Sequence, residues 1–148
     1  MGGADGWARV LVLRGSPSVA SETRTKVDLV ITPPRRVRHR WRDYRTPSGR
    51  RPVKEFLGGL AAEDRAEVVA AMADVRMEGL RVARHVRGDI YEVRAHGPHV
   101  SVRLLFAQEG EKGRVLLALE GFEKKTQKTP DRLIRLAEKR LTAWRSRG

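Results

Sequence analysis

Apolar residues recur every three or four positions in two segments of the chain, the spacing that places side chains on one face of a helix. The first segment runs from Ala62 to Glu78, and the glycine that follows suits a helix C-terminus. The second segment starts at residues 129–131, where Thr-Pro-Asp supplies a capping residue, a proline and an acid. A shorter helix begins at Pro52 and stops at Gly58-Gly59. The pattern therefore predicts three helices, the last of them near the C-terminus.

Four other segments alternate apolar and polar residues or are continuously apolar, as strands are. They are residues 37–44, 90–95, 100–106 and 115–119. The first has a strongly basic face, which favours a sheet edge because charge there discourages aggregation. The last is continuously apolar, as expected of a strand buried on both sides. The predicted order is β-α-α-β-β-β-α, an α+β fold with an antiparallel sheet, two helices near its start and a C-terminal helix.

The first 34 residues show no sustained period and are interrupted by Ser16-Pro17-Ser18 and Thr32-Pro33-Pro34. We expect residues 1–34 to form a poorly ordered N-terminal extension. Residues 35–148 then form one domain, because a chain of 148 residues can bury a single core but not two.

The chain carries 31 Lys and Arg against 18 Asp and Glu, a formal net charge of +13. A surface this basic attracts phosphate backbones and releases their counterions on contact, so nucleic acid is the default partner. No apolar run approaches the roughly 20 residues of a membrane helix, and the N-terminus does not look like a secretory signal. We therefore expect a cytoplasmic protein with no membrane partner.

The composition and motifs of the chain also exclude several kinds of binding site and catalytic chemistry. The absence of cysteine excludes disulfides, Cys-based zinc sites and thiol nucleophiles. The four histidines lack a metal-ligand spacing, and no Gly-rich phosphate loop or serine-hydrolase motif occurs. We expect neither a metal nor a small-molecule cofactor. His96 and His99 flank a Gly-Pro turn, where contact with RNA and an ordinary turn position are both open.

Three lysines, Lys124, Lys125 and Lys128, lie between the last predicted strand and the last helix. Exposed backbone N–H groups at a helix N-terminus favour an anion, so a phosphate is a candidate occupant. A solvated loop is the alternative. Arg94 and Arg103 lie on the polar faces of adjacent strands and could clamp one phosphate. Pairing with a nearby carboxylate such as Glu92 is the alternative for both.

Such a cation cluster suits RNA cleavage without a metal. A 2′-hydroxyl that attacks the neighbouring phosphate must lose a proton, the phosphorane must be stabilised, and the 5′ oxygen must gain a proton. We assign proton transfer to Lys124 or Lys125 and electrostatic stabilisation to Arg94 and Arg103.

A second candidate for RNA contact lies in the basic strand. Tyr44 stands close to Arg42 and next to Arg45, and its ring could stack on a base, although core packing is the alternative.

Three strings of sequence carry a resemblance to a known family. They are residues 88–94 (GDIYEVR), 102–106 (VRLLF) and 121–130 (GFEKKTQKTP), of which KKTQKTP is the most specific. Over about residues 37–147 the chain resembles the phage-derived Gp49-like, HigB-type branch of the RelE/ParE toxin superfamily. The resemblance implies a small RelE-like α+β fold and the toxin of a type II toxin–antitoxin system. It also implies a cognate antitoxin, often a helix-turn-helix protein, and ribosome-dependent endonuclease activity on mRNA that inhibits translation.

Carried over by position, the family's basic residues correspond to Arg94, Arg103, Lys124 and Lys125, with Lys128 as a secondary candidate. The same scaffold also serves two other functions, because fold does not fix function. One is a ParE-like, non-enzymatic inhibitor of DNA gyrase, and the other is a catalytically inactive RNA-binding or regulatory module.

The sequence departs from the family pattern at three positions. Val93 replaces the usual Leu, Val102 the usual aromatic residue, and Glu120 the usual His. The first two are apolar replacements. The carboxylate of Glu120 is expected to lie near the cations and to neutralise part of their charge.

Overall fold

A five-stranded sheet with helices on both faces forms the fold of residues 39–147, which the computed structural model describes. The elements in chain order are β1 (Arg40–Asp43), α1 (Pro52–Gly58), α2 (Ala62–Glu78), β2 (Arg84–Arg87), β3 (Ile90–His96), β4 (Ser101–Glu109), β5 (Val115–Glu123) and α3 (Asp131–Ser146). Short 3₁₀ turns at Gly79–Val82 and Glu111–Gly113 precede β2 and β5. The predicted α+β class is confirmed. The extension predicted for residues 1–34 lies outside the described residues.

The strands lie in the order β1-β5-β4-β3-β2. β1 is at the edge, as its basic face predicts, but it pairs with β5 in parallel, while the other three pairs are antiparallel. The sheet is therefore mixed. Side-chain alternation reports which face a residue occupies and carries no information on strand direction. The sequence also gave no sign of β2, because its four residues, Arg-His-Val-Arg, are mostly charged and pair only with β3.

Helices α1 and α2 cover one face of the sheet. Val53 of α1 and Val75 of α2 pack against a buried set of sheet residues: Val93, Leu104, Phe106, Leu116 and Ala118. Trp41 fixes β1 to this layer, since its indole N–H donates to the carbonyl of Met72 at 2.8 Å. Burial of this apolar surface is the main stabilising term for the α1–α2 layer.

Helix α3 covers the other face. Its residues Leu133, Ala137 and Leu141 pack on a second buried set: Tyr44, Ile90, Leu105, Ala107, Leu117 and Leu119. A bulge opposite Leu105 adds one residue to β5, so Leu119 and Glu120 both lie toward α3. Arg140 of α3 donates to the carbonyl of Leu119 at 2.7 Å and to Glu120 Oε1 at 3.1 Å.

No helix among the described residues is long and apolar enough to cross a membrane.

Candidate functional site

Residues 124–130, which we name the lysine loop, connect β5 to α3 and are fixed to the sheet at three points. The N–H of Lys124 donates to the carbonyl of Ser101 at 2.8 Å. Arg103 Nη2 donates to the carbonyl of Gln127 at 2.7 Å, and the Thr129 hydroxyl donates to Glu92 Oε2 at 2.5 Å. These contacts hold the backbone between the three lysines against β3 and β4.

The carboxylate of Glu92 is the centre of this attachment. It is fully buried and accepts hydrogen bonds from Arg94 Nε at 3.0 Å and Arg84 Nε at 3.3 Å, in addition to Thr129. Burial acts to raise the pKa of Glu92, but the Thr129 hydroxyl and the surrounding arginines hold that pKa below its ordinary value. Glu92 is therefore ionised at neutral pH, and the buried charge is compensated by its donors.

Arg94 and Arg103 stand directly opposite each other on β3 and β4, as the predicted hairpin requires. The carboxylate of Glu92 lies beside both guanidinium groups, 3.0 Å from Arg94 and 3.8 Å from Arg103. The structure thus shows the alternative, in which both arginines pair with Glu92. A strand periodicity places two cations on one face but does not report that the carboxylate two residues before Arg94 contacts both of them.

Arg103 is buried rather than exposed to a substrate, with a relative accessibility of 1%. Its Nη1 donates to Thr129 Oγ1 at 3.0 Å, and its Nε is buried with no hydrogen-bond partner among the described residues. Arg103 therefore supports the lysine loop instead of facing solvent as predicted, because the loop covers the strand face that the sequence shows only as polar.

Arg94 lies outside the lysine cluster. Its side chain is 43% exposed and lines a different cleft, together with Arg81 and Arg84. The structure therefore separates Arg94 from the lysines with which the sequence analysis grouped it.

Two clefts flank residues 124–126 of the lysine loop. The first, of about 360 Å³, is lined by five cations and one carboxylate: Arg103, Lys124, Lys125, Lys128, Arg132 and Glu123. Phe56, Phe122 and Leu133 supply apolar wall. The carboxylate is 4.0 Å from the ammonium of Lys125. The excess of positive charge makes this cleft suited to a phosphate group. Arg132, in the first turn of α3, was not among the predicted site residues, because its position in the helical pattern does not distinguish it from other exposed charged residues.

The second cleft, of about 500 Å³, is lined by Lys124, Lys125 and His99, among other residues. His99 is attached to Asp64, a buried residue in the first turn of α2. Asp64 Oδ1 accepts the N–H of His99 at 2.9 Å and the N–H of Val100 at 3.4 Å, while Oδ2 lies 3.1 Å from His99 Nδ1. A helix residue therefore fixes the turn between β3 and β4.

The electrostatics of Asp64 follow from these bonds. Burial acts to raise the pKa of Asp64, yet the backbone N–H groups of His99 and Val100 and the His99 ring hold that pKa below its ordinary value. The turn also comes very close to the helix: a Cβ on Gly97 would lie 2.1 Å from Asp64 Oδ1. No sequence pattern indicates this pair, since its partners are 35 residues apart and Asp64 occupies an ordinary polar helix position.

Glu120 does not neutralise the lysines. Its carboxylate pairs with Arg140 at 3.1 Å, and both side chains are largely buried beneath α3. The bulge in β5 turns Glu120 toward that helix. The acidic residue thus contributes to the packing of α3 rather than to the charge of the clefts.

The basic residues of β1 and its C-terminal flank lie apart from the lysine loop. Tyr44 is only 5% exposed, and the guanidinium groups of Arg140 and Arg147 lie 5.6 and 5.1 Å from the centre of its ring. The structure corrects the prediction that Tyr44 stacks on a base, because core residues and arginines cover the ring. Arg42 and Arg45 are exposed, with Arg42 over the ring of Trp144, and neither lines the two clefts.

Comparison with known proteins gives concordant matches. Residues 55–142 match the family model described as phage derived protein Gp49-like (DUF891). The chain is 33% identical over 108 residues to a probable endoribonuclease HigB1 of Mycobacterium tuberculosis strain CDC 1551 / Oshkosh, a match that covers 71% of this chain and 84% of the relative. The corresponding protein of strain H37Rv matches with the same values.

Proposed function

Because the chain belongs to the phage-derived Gp49-like family, we propose that it is the toxin of a toxin–antitoxin system and that it cleaves RNA. The cleft beside the lysine loop carries this proposal, since three lysines of the loop and Arg132 line it, and the loop is attached to the sheet by hydrogen bonds to the buried side chains of Arg103 and Glu92. Its relatives are described as probable endoribonucleases, which agrees with a cleft built for phosphate. The substrate is mRNA, cleaved on the ribosome, and the result is inhibition of translation.

Cleavage proceeds by attack of a ribose 2′-hydroxyl on the adjacent phosphate, with no metal. Lys124 and Lys125, which line both clefts, stabilise the negative charge that develops on the phosphorane. Lys128 and Arg132 hold the neighbouring phosphates of the strand. Arg103 acts indirectly, by holding the loop in place. Arg94, with Arg42 and Arg45, extends the basic surface for contact with RNA backbone.

The ribosome has a defined role in this proposal. Both clefts are open surface grooves, and their lysines are long, flexible side chains that attract a phosphate without fixing its orientation. Docking of the +13 chain on ribosomal RNA brings the message to the clefts and orients it for in-line attack. An antitoxin, of helix-turn-helix type, blocks this surface with acidic groups of its own, so the complex is expected to weaken as salt rises.

The test is primer-extension mapping of the 5′ ends of a reporter mRNA incubated with purified protein, with and without translating ribosomes. The wild-type chain is compared with Lys125→Ala and with Lys139→Ala, which removes an exposed lysine of α3 outside both clefts. We expect new ends only with ribosomes, lost in Lys125→Ala and retained in Lys139→Ala. Intact message in every lane would overturn the proposal and favour the gyrase-inhibitor or inactive-module alternatives.

A further inference from the structure

The contact between His99 and Asp64 fixes both the orientation and the tautomer of the histidine. Asp64 is an ionised carboxylate and can only accept hydrogen bonds, so His99 Nδ1 must carry a proton and donate it. The Nε2 atom, on the opposite edge of the ring, is then the atom that binds or releases a proton. The side chain is 59% exposed, while that of Asp64 is 3% exposed. A buried acceptor thus holds an imidazole whose other nitrogen is accessible.

The imidazole shares a cleft with the lysine loop. Ser101, two residues after His99, accepts the N–H of Lys124 at 2.8 Å. His99 and the lysine loop therefore line one cleft, whose volume of about 500 Å³ is large enough for a phosphodiester group. The cleft that contains them is formed by His99, Ser101, Lys124 and Lys125, with Thr126 and Gln127.

We propose that His99 is the general base of RNA cleavage and that Asp64 is its positioning residue, an inference that rests on the proposed ribonuclease function. Nε2 of neutral His99 takes the proton of the ribose 2′-hydroxyl as the O2′–P bond forms and the P–O5′ bond breaks. An ammonium of the lysine loop donates a proton to the departing O5′. The products are a 2′,3′-cyclic phosphate and a 5′-hydroxyl, and the histidine and lysine exchange protons with water to complete the cycle.

Several ionisable groups surround His99. Asp64 faces it from α2, and Glu123, Lys124 and Lys125 line the same cleft. His96, at the end of β3, lies across the turn, with Nδ1 3.1 Å from the Ser101 hydroxyl. Unlike His99, it has no carboxylate partner among the described residues. Its exposure and its place in the same turn make it a matched control.

The experiment measures ribosome-dependent cleavage rates of a defined mRNA between about pH 5 and pH 8, the range in which histidine changes charge. For His99→Ala we expect a loss of about 10²- to 10⁴-fold, as for removal of a general base. The part of the profile in which the rate rises with pH should disappear, and added imidazole should restore part of the rate. His96→Ala should keep the wild-type profile. RNA affinity and thermal unfolding of each variant are recorded alongside, and His99→Gln repeats the test with a larger polar side chain.

Asp64→Asn tests the positioning role. The amide can donate to Nδ1, which moves the ring proton to Nε2 and removes the accepting lone pair from the cleft. We expect a loss of rate together with a changed pH profile, at unchanged RNA affinity. If His99→Ala and His99→Gln cleave with the wild-type rate and profile while Lys125→Ala is inactive, His99 is not the base and the ribonuclease function stands. If the wild-type protein cleaves nothing, the proposed function itself fails.

Discussion

The Thr129 hydroxyl donates a 2.5 Å hydrogen bond to the buried Glu92 carboxylate, and this contact joins the end of the lysine loop to the centre of the sheet. Thr129 is itself buried and accepts a hydrogen bond from Arg103 at 3.0 Å. One hydroxyl thus bridges an acid and a base that are 3.8 Å apart. The position of the exposed lysines depends on this buried bridge.

Replacement of Thr129 by valine tests the bridge. The variant keeps the shape of the side chain but removes one hydrogen-bond partner from each of the buried side chains of Glu92 and Arg103, so we expect a loss of about 2 kcal/mol in the free energy of unfolding. Urea denaturation measures the change. Thr126→Val, at an exposed position of the same loop, should change stability by less than about 0.5 kcal/mol. Equal effects of the two substitutions would contradict a special role for Thr129.

Replacement of Arg103 by methionine should lower the free energy of unfolding far more than replacement of Arg94 by methionine. Removing Arg103 takes away a fully buried partner of Glu92, and we expect a loss of about 3–5 kcal/mol. Removing Arg94, whose side chain is 43% exposed, should cost about 1 kcal/mol or less. Thermal unfolding of both variants gives the comparison. An Arg103→Met protein as stable as wild type would show that Arg103 is not a structural anchor.

Gly97 is expected to tolerate no side chain. An alanine there would place its Cβ 2.1 Å from Asp64 Oδ1 and 2.8 Å from Asp64 Cα, so the turn must move away from α2. We expect Gly97→Ala to cost about 1–3 kcal/mol, the range for overpacked sites. Gly58→Ala, at a helical position with no atom within 4 Å of the new Cβ, should instead stabilise the protein by about 0.5 kcal/mol. Denaturant midpoints of the pair report the difference.

Acid should destabilise the fold through the buried carboxylates of Asp64 and Glu92. The pKa values of Asp64 and Glu92 are held below their ordinary values of 3.8 and 4.5. Their contribution is therefore complete above about pH 4.5 and is lost as the pH falls through the lowered folded-state values. Unfolding free energies measured at successive pH values should be level near neutrality and decline below pH 4.5. Glu92→Gln should be less stable at neutral pH and show a shallower acid decline.

Affinity for RNA should depend on salt through the lysine loop. Each phosphate contact on a single strand changes the slope of log affinity against log salt by about 0.7. Lys125→Ala should reduce that slope by about this amount, while Lys139→Ala leaves it unchanged. Fluorescence anisotropy with a short labelled RNA over a range of salt concentrations measures both. Identical slopes for Lys125→Ala and wild type would place the RNA elsewhere on the surface.

Periodicity and turn residues were enough to predict the three helices and four of the five strands, because each of these elements has a regular apolar face or, in β5, a continuous apolar run. β2 was missed since it has almost no apolar residue to bury. The lysines were found because they cluster in the sequence itself. The role of Arg103 and the contact of His99 with Asp64 depend on segments 24 to 35 residues apart. Local patterns carry no information on such contacts.

The parallel pairing of β1 with β5 has a kinetic consequence. Arg40 lies beside Val115, so each ladder hydrogen bond of β1 closes a loop of roughly 75 residues, at a larger entropy cost than a short loop. The hairpin of β3 and β4 closes a turn of a few residues, since His96 pairs with Ser101. During folding the hairpin can therefore form early, and β1 joins the sheet only after β5 is in place. The basic edge strand therefore reaches its native pairing later than the β3–β4 hairpin does.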